Sequence, residues 1–292
     1  MFPIISNNLI APNLHRLVIR APRIARACLP GQFVIVHADQ QAERIPLTIA
    51  DADIDQGTVT LYVQAVGYST CRLVALPTGS SLRDLAGPLG HPTEITRWGR
   101  VACIGGGVGT AVLYPLAKAL AEVGNQVISI ISIISIISII GGRSAELIIL
   151  ADELAQFSTE VLIATEDGSR GKQGFVTHVL QELITDPRSV PQAIYAVGPV
   201  PMMKAVSDLT RPHQIPTIVS LNPIMIDGTG MCGGCRVLVG GKLKFACVDG
   251  PEFDGHLVDF DLLADRLSTY RTAECQMLQQ LAEKDRPTQR KA

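Results

Sequence analysis

Short runs of β-branched and alternating residues fill the first hundred positions. VIRAP (18–22), QFVIVHA (32–38), PLTIADAD (46–53) and GTVTLYVQAV (57–66) are separated by Pro, Gly and Asp, the texture of strands broken by turns. Strands at this spacing predict a small antiparallel barrel or sandwich over residues 1–97. The pattern changes at Trp98–Arg100. Val101–Ile104 reads as a buried strand, a helix follows from about Val108 to Val123, and another apolar strand starts at Val127. Glu146–Phe157 reads as a helix, Val161–Thr165 as a strand, Phe175–Ile184 as a helix, Ala193–Val197 as a strand and Pro201–Thr210 as a helix. Strands alternating with helices predict a parallel sheet in an α/β unit over residues 98–216. A Gly- and Cys-rich stretch (217–262) and a charged helical tail (263–292), its end expected to fray, complete the chain.

One stretch breaks both periodicities. Ile128–Ile140 reads ISIISIISIISII, a three-residue repeat that fits neither the strand period of two nor the helical 3.6. The favoured reading is a duplication that extends the strand leading into Gly141-Gly142-Arg143; a short helix, a bulge and a membrane- or partner-touching loop compete with it. The apolar run Val127–Ile140 spans 14 residues, short of the roughly 20 that cross a bilayer. With no basic-then-apolar leader at the N-terminus, the expectation is a cytoplasmic protein without a membrane span.

Composition sharpens this. Hydrophobic residues make up 47% of 292 and charged residues 18%, with a net charge of -2. That supports sizeable cores and leaves no basic face for nucleic acid. Of seven cysteines, Cys232, Cys235 and Cys247 cluster and the others are scattered, which in a reducing compartment points to metal or redox chemistry before disulfides.

Five motifs carry candidate chemistry. Arg44-Ile45-Pro46-Leu47-Thr48 sets a cation, an edge proline and a hydroxyl on one strand; the Arg suits a pyrophosphate and the Thr a flavin ring, although in isolation a plain surface turn is the better reading. Gly67, Ser69 and Thr70 form a turn able to present donors to a phosphate, or simply a helix cap. Gly105-Gly106-Gly107-Val108-Gly109-Thr110 joins a strand to a helix, the context of a dinucleotide loop, with Thr110 where a strict G-x-G-x-x-G needs glycine. Glu166-Asp167 and Gly198-Pro199 follow later strands, at the edge where ligands of open α/β sheets bind. Asp227-x4-Cys232-x2-Cys235-x11-Cys247 matches the C-x4-C-x2-C…C spacing of plant-type [2Fe–2S] sites with Asp in first place. A structural zinc site is the rival, and Asp is a harder donor than thiolate.

In this order the motifs, together with GPLG at 87–90, ATEDGS at 164–169 and VGPVPMMKAV at 197–206, resemble the ferredoxin–NADP reductase superfamily. More narrowly the chain is similar to the small (alpha) subunits of NADH-dependent reduced ferredoxin:NADP oxidoreductase, also called sulfide dehydrogenase small subunits. Electron-transfer subunits of dihydroorotate dehydrogenase are close relatives. The likeness runs from about Gly31 to Phe260 and is most specific in DGTGMCGGCRVLVGGKLKFACVDGPEFDGH. It implies an antiparallel FAD-binding barrel, a parallel-sheet NAD-binding domain and a C-terminal [2Fe–2S] segment. It implies FAD on Arg44, Pro46, Leu47, Thr48, Gly67, Ser69 and Thr70, and NAD(H) or NADP(H) near Gly106, Gly107, Gly109, Thr110, Glu166, Asp167, Gly198 and Pro199. The cluster falls on Asp227, Cys232, Cys235 and Cys247. It further implies a larger partner with another flavin and [4Fe–4S] clusters, through which ferredoxin is reached. Dihydroorotate relatives usually carry Cys where Asp227 stands, which favours the ferredoxin-linked branch. Two departures stand out: Val197 replaces the Cys that many plant-type reductases carry two residues before the Pro of the G-P motif, and the isoleucine–serine repeat lengthens a nucleotide-domain strand. No side-chain acid or base is expected to be catalytic. The competing class is a zinc-stabilised interaction module with vestigial loops.

Overall fold

The computed structural model describes residues 1–125 and 135–284. The expected strand start at Val127, the first half of the repeat and residues 285–292 lie outside these. In chain order the first part comprises β1 (Phe2–Ala11), β2 (Leu14–Arg20), α1 (Pro22–Ala27), β3 (Phe33–His37), β4 (Arg44–Thr48), β5 (Asp51–Asp53), β6 (Thr58–Gln64), α2 (Tyr68–Val74), β7 (Ser81–Leu82) and β8 (Asp84–Leu89). Two antiparallel sheets result, β5-β6-β2-β1-β7 and β4-β3-β8. They share one core: Leu17, Ile19, Val59 and Leu61 of the first meet Val34, Val36 and Leu85 of the second. VIRAP is not one strand. Pro22 stands at the first helical position of α1, where its fixed φ and missing N–H are tolerated, so the chain turns out of β2 there.

The next part alternates as expected: β9 (Arg100–Gly106), α3 (Gly109–Asn125), β10 (Ser135–Gly142), α4 (Ala151–Ala155), β11 (Glu160–Thr165), β12 (Lys172–Gln173), α5 (Val176–Thr185), β13 (Ala193–Val197), α6 (Val200–Thr210) and β14 (Thr217–Ser220). Strands order β12-β11-β10-β9-β13-β14, all parallel. The chain then leaves the sheet through the hairpin of β15 (Arg236–Val239) and β16 (Lys242–Phe245) and the turn α7 (Ala246–Asp249). It returns as β17 (Glu252–Asp254), antiparallel to β14. Helices α8 (Phe260–Ser268) and α9 (Arg271–Lys284) end the described chain.

Both faces of the parallel sheet are covered. Ala102 and Ile104 of β9 turn to the side of α5 and α6, and Val101 and Cys103 to the side of α3, the two-residue alternation of a strand. The helix expected over Glu146–Phe157 is a correction: a 3-10 turn at Ala145–Leu147 is followed by Leu150 at φ 57°, and only Ala151–Ala155 is α-helical. A left-handed residue cannot sit inside an α-helix, so the segment splits.

The described half of the repeat is a central strand, with Ile139 opposite Ile104 on one side and Leu162 on the other. Its period of three against the strand's two carries Ser138 into the core, 2% exposed. The hydroxyl is satisfied by Ser158 Oγ at 2.6 Å. Ser158→Ala leaves it without a partner, which costs about 1 kcal/mol; the expected result is a lower urea midpoint at unchanged slope.

Candidate functional site

Strand β4 is an edge strand, so Pro46 breaks no ladder there. Pro46 lies opposite Ile35, Leu47 opposite Val34 and Thr48 opposite Phe33. At its start the half-exposed Arg44 guanidinium stands 3.4 Å from Asp84 Oδ2, a loose pair that a phosphate can displace. The second barrel motif is tied to the first: Glu43 N donates to Ser69 Oγ at 2.9 Å. Thr70 Oγ1 accepts from Gly67 N and donates to Gly67 O, both at 2.9 Å. These two hydroxyls therefore shape the turn. The donors left for an anion are the first backbone N–H groups of α2, which have no helical acceptor.

The remaining glycine loops converge along the carboxyl edge of the parallel sheet. Gly107, at φ 57°, donates its N–H to Gly141 O at 2.9 Å. Gly109 presses on the end of β13, and a Cβ there would stand 2.7 Å from the Val197 carbonyl carbon and 3.0 Å from Gly198 Cα. A Cβ at Gly106 would come 3.0 Å from Pro199 Cδ. Gly106, Gly109, Gly198 and Pro199 thus pack together as one surface, over which the Met202 side chain lies: a Cβ at Gly198 would meet Met202 Cε at 2.8 Å and Sδ at 3.0 Å. Thr110 is buried and packs back on Gly105, away from that surface. Glu166 N donates to Gly142 O and Asp167 N to Arg143 O, each at 3.2 Å. Asp167 Oδ1 accepts from Ser169 N at 2.9 Å, and the Ser169 bonds hold its carboxyl below the usual range. Glu166 is exposed beside it.

At the cysteine cluster the four expected ligands form two pairs. Buried Cys235 and Cys247 face each other with sulfurs 3.2 Å apart, too far for a disulfide. Burial, with the facing Cys235 thiol, pushes Cys247 up to about 12, so a metal is what makes thiolates of such a pair. Exposed Cys232 takes the N–H of Gly234 on its sulfur at 3.4 Å. Its own N–H donates to Asp227 Oδ2 at 2.8 Å, while Thr229 N donates to Asp227 Oδ1 at 2.9 Å. Those bonds keep Asp227 ionised and below the usual carboxylate range. No three donors close on a single point among the described residues. Zinc asks for four donors around one ion, whereas a two-iron cluster asks for two pairs. The loop is mounted on the barrel, since a Cβ at Gly228 would meet Leu89 Cδ1 at 2.6 Å and Ile35 Cγ1 at 3.0 Å.

Sequence reading missed Glu252. It joins three parts: Thr93 Oγ1 donates to Glu252 Oε1 at 2.7 Å, Thr93 N donates to Pro30 O at 2.8 Å, and Glu252 itself is in β17. Burial keeps Cys103 and Tyr195 of the same sheet neutral. Burial pushes its carboxyl up to about 7, and the Thr93 bond only partly opposes this. The folded chain thus keeps a proton that the unfolded chain releases, so stability falls as pH rises from the ordinary glutamate range to about 7. Glu252→Gln removes this loss. Denaturant titrations of the full chain are expected to show the variant more stable by about 2 kcal/mol at pH about 8, and by little at pH about 5. The only sequence trace of this joint is the turn-forming Gly250-Pro251 before it.

No helix among the described residues is long and apolar enough to cross a membrane. The family model described as the iron-sulfur cluster binding domain of dihydroorotate dehydrogenase B matches residues 222–259. The dihydroorotate dehydrogenase B (NAD(+)) electron transfer subunit homolog of Thermotoga maritima is 43% identical over 265 residues, covering 91% of this chain and 90% of that protein. A solved structure of an NADH-dependent reduced ferredoxin–NADP oxidoreductase superposes with a TM-score of 0.88 at 41% identity, over 97% of this chain and 98% of that one. Phthalate dioxygenase reductase, at 16% identity and a TM-score of 0.56 over 82% of this chain and 85% of its own, shares the fold.

Proposed function

The chain belongs to the family of dihydroorotate dehydrogenase B electron transfer subunits and their homologs, and from that premise we propose that it passes electrons between a nicotinamide nucleotide, FAD and a [2Fe–2S] cluster. It is an oxidoreductase-type electron-transfer subunit. FAD, when bound, supplies the exchange between a two-electron hydride and single electrons. The chain's part is to hold and align. The barrel, with residues 1–97 as its proposed extent, takes FAD along β4, with Arg44 and the first amides of α2 on the pyrophosphate and Thr48 beside the ring. Residues 98–216 take the nucleotide, its pyrophosphate on Gly106, Gly107, Gly109, Gly198 and Pro199 once the flexible Met202 side chain swings aside, and its ribose near Glu166. Residues 217–262 hold the cluster, with Cys235 and Cys247 on one iron and Asp227 and Cys232 on the other. The observation that carries this reading is the pairing of those four ligands in a loop packed against the barrel strand neighbouring β4.

We propose further that the chain works with a larger subunit carrying another flavin and [4Fe–4S] clusters, through which ferredoxin exchanges electrons; Asp227 at the head of the cluster loop favours this over a dihydroorotate-oxidising partner. The test is an absorption spectrum of protein purified without oxygen, before and after NADH and then NADPH. Flavin bands with a broad iron–sulfur shoulder, bleached by one nucleotide, are the expected result and identify the donor. Flavin without the shoulder refutes the cluster assignment. A colourless, zinc-containing protein refutes the whole reading in favour of a binding module.

A further inference from the structure

We propose that the C-terminal helix α9 is a strap over the flavin-phosphate site, with its Glu274 carboxylate standing where a phosphate of FAD binds. This rests on the FAD reading above. Gly67 opens α2 and has no side chain, which leaves its backbone open to a close-approaching anion. Any side chain built at Gly67 would run into Glu274 Oε1. The carboxylate therefore sits on the residue beside the first amides of α2, the donors assigned above to the pyrophosphate. Two anions do not share such a place, because like charges in contact repel, and the more so in a partly dry site.

The strap is lightly held. From Thr272 to Gln280 every side chain of α9 is exposed except those of Met277 and Leu278, which are half-buried. A helix that is polar on nearly all sides contributes little burial, so its docking is easily reversed. Its contact with the Gly67 turn comes from its first turn, where Glu274 N donates to Tyr270 O at 3.0 Å. The segment just before α9, Thr269–Tyr270, is exposed and joins it to α8. FAD entry then displaces Glu274 and frees α9 from α2.

The test uses the full chain stripped of flavin and follows FAD binding by quenching of flavin fluorescence. Glu274→Gln, which keeps the shape and removes the charge, is expected to tighten FAD binding about tenfold, mainly through faster association, and to leave riboflavin binding unchanged, because riboflavin has no phosphate. In the wild-type chain, adding FAD is expected to speed amide hydrogen exchange along α9. FAD binding and exchange that are the same with and without the carboxylate overturn the strap and leave the FAD site standing. A wild-type chain that binds no FAD overturns both. Weaker binding by Glu274→Gln also overturns the strap, because it makes Glu274 part of the site.

Discussion

Replacing Cys235 by Ser is expected to abolish the iron–sulfur shoulder of the purified protein and bring its iron content to background. Cys235 is 1% exposed, and its sulfur faces Cys247 and takes the Cys247 N–H at 3.5 Å. Serine is a poor donor to iron, and the site has no nearby thiol to take over, since Cys232 is on the outer pair. The flavin bands and their bleaching by the nucleotide are expected to survive, because the barrel core and the sheet core are built from other residues. Transfer to a one-electron acceptor should fall by about a hundredfold or more, the scale on which removing a metal-site ligand or its support acts. The decisive measurement is therefore a pair: iron per chain, and the ratio of nucleotide-to-flavin rate to nucleotide-to-acceptor rate. If the variant keeps its iron, the pairing of Cys235 with Cys247 as ligands is wrong.

Gly109→Ala should act on the other end of the electron path. The added methyl would collide with the Val197 carbonyl and crowd Gly198 Cα, both backbone, which cannot rotate away as a side chain would. Either α3 shifts along its axis or the Gly198-Pro199 loop is pushed off the sheet edge. A displacement of about 1 Å at a phosphate cradle is worth about a hundredfold in the reaction it aligns. The expected result is a rise of that order in the KM for NADH or NADPH with FAD and cluster content unchanged. A methyl at Gly107, where nothing of the chain stands within 4 Å, adds the backbone penalty of its positive φ, about 1 kcal/mol, and projects into the space assigned to the pyrophosphate.

Much of this architecture was legible in the sequence because it is local. Buried strands of the parallel sheet are short apolar runs, the loops after them are glycine-rich, and both signals lie within ten residues of each other; Ala193–Val197 and its helix Val200–Thr210 fall almost where the pattern puts them. The failures are equally local in cause. Phe2–Ala11 is a ten-residue strand, but Ser6, Asn7 and Asn8 interrupt its apolar pattern and hide it. Leu150 offers no sequence signal that its backbone turns left-handed and cuts a helix in two. What no linear reading reaches is the joint made by Thr93 with Glu252, 159 positions apart, or the contact of Glu274 with Gly67. Charge and burial decide those, and neither is visible until the chain is folded. The cysteine spacing named candidate ligands, but only the fold sorts them into two pairs.

The excursion between β14 and β17 has one more implication. The chain departs after Ser220 and comes back at Glu252, and these two residues are direct partners across the antiparallel pair. Everything from Leu221 to Pro251 is thus a plug-in cassette whose two leads are soldered side by side to the rim of the nucleotide sheet. A short hairpin joining Ser220 to Glu252 could bridge the gap, but it would have to cover the core surface that Met225, Val237 and Ala246 now fill. The same mounting makes the segment a candidate for transplantation: a parallel sheet of another protein that ends in a comparable edge strand offers both sockets a one-electron relay needs.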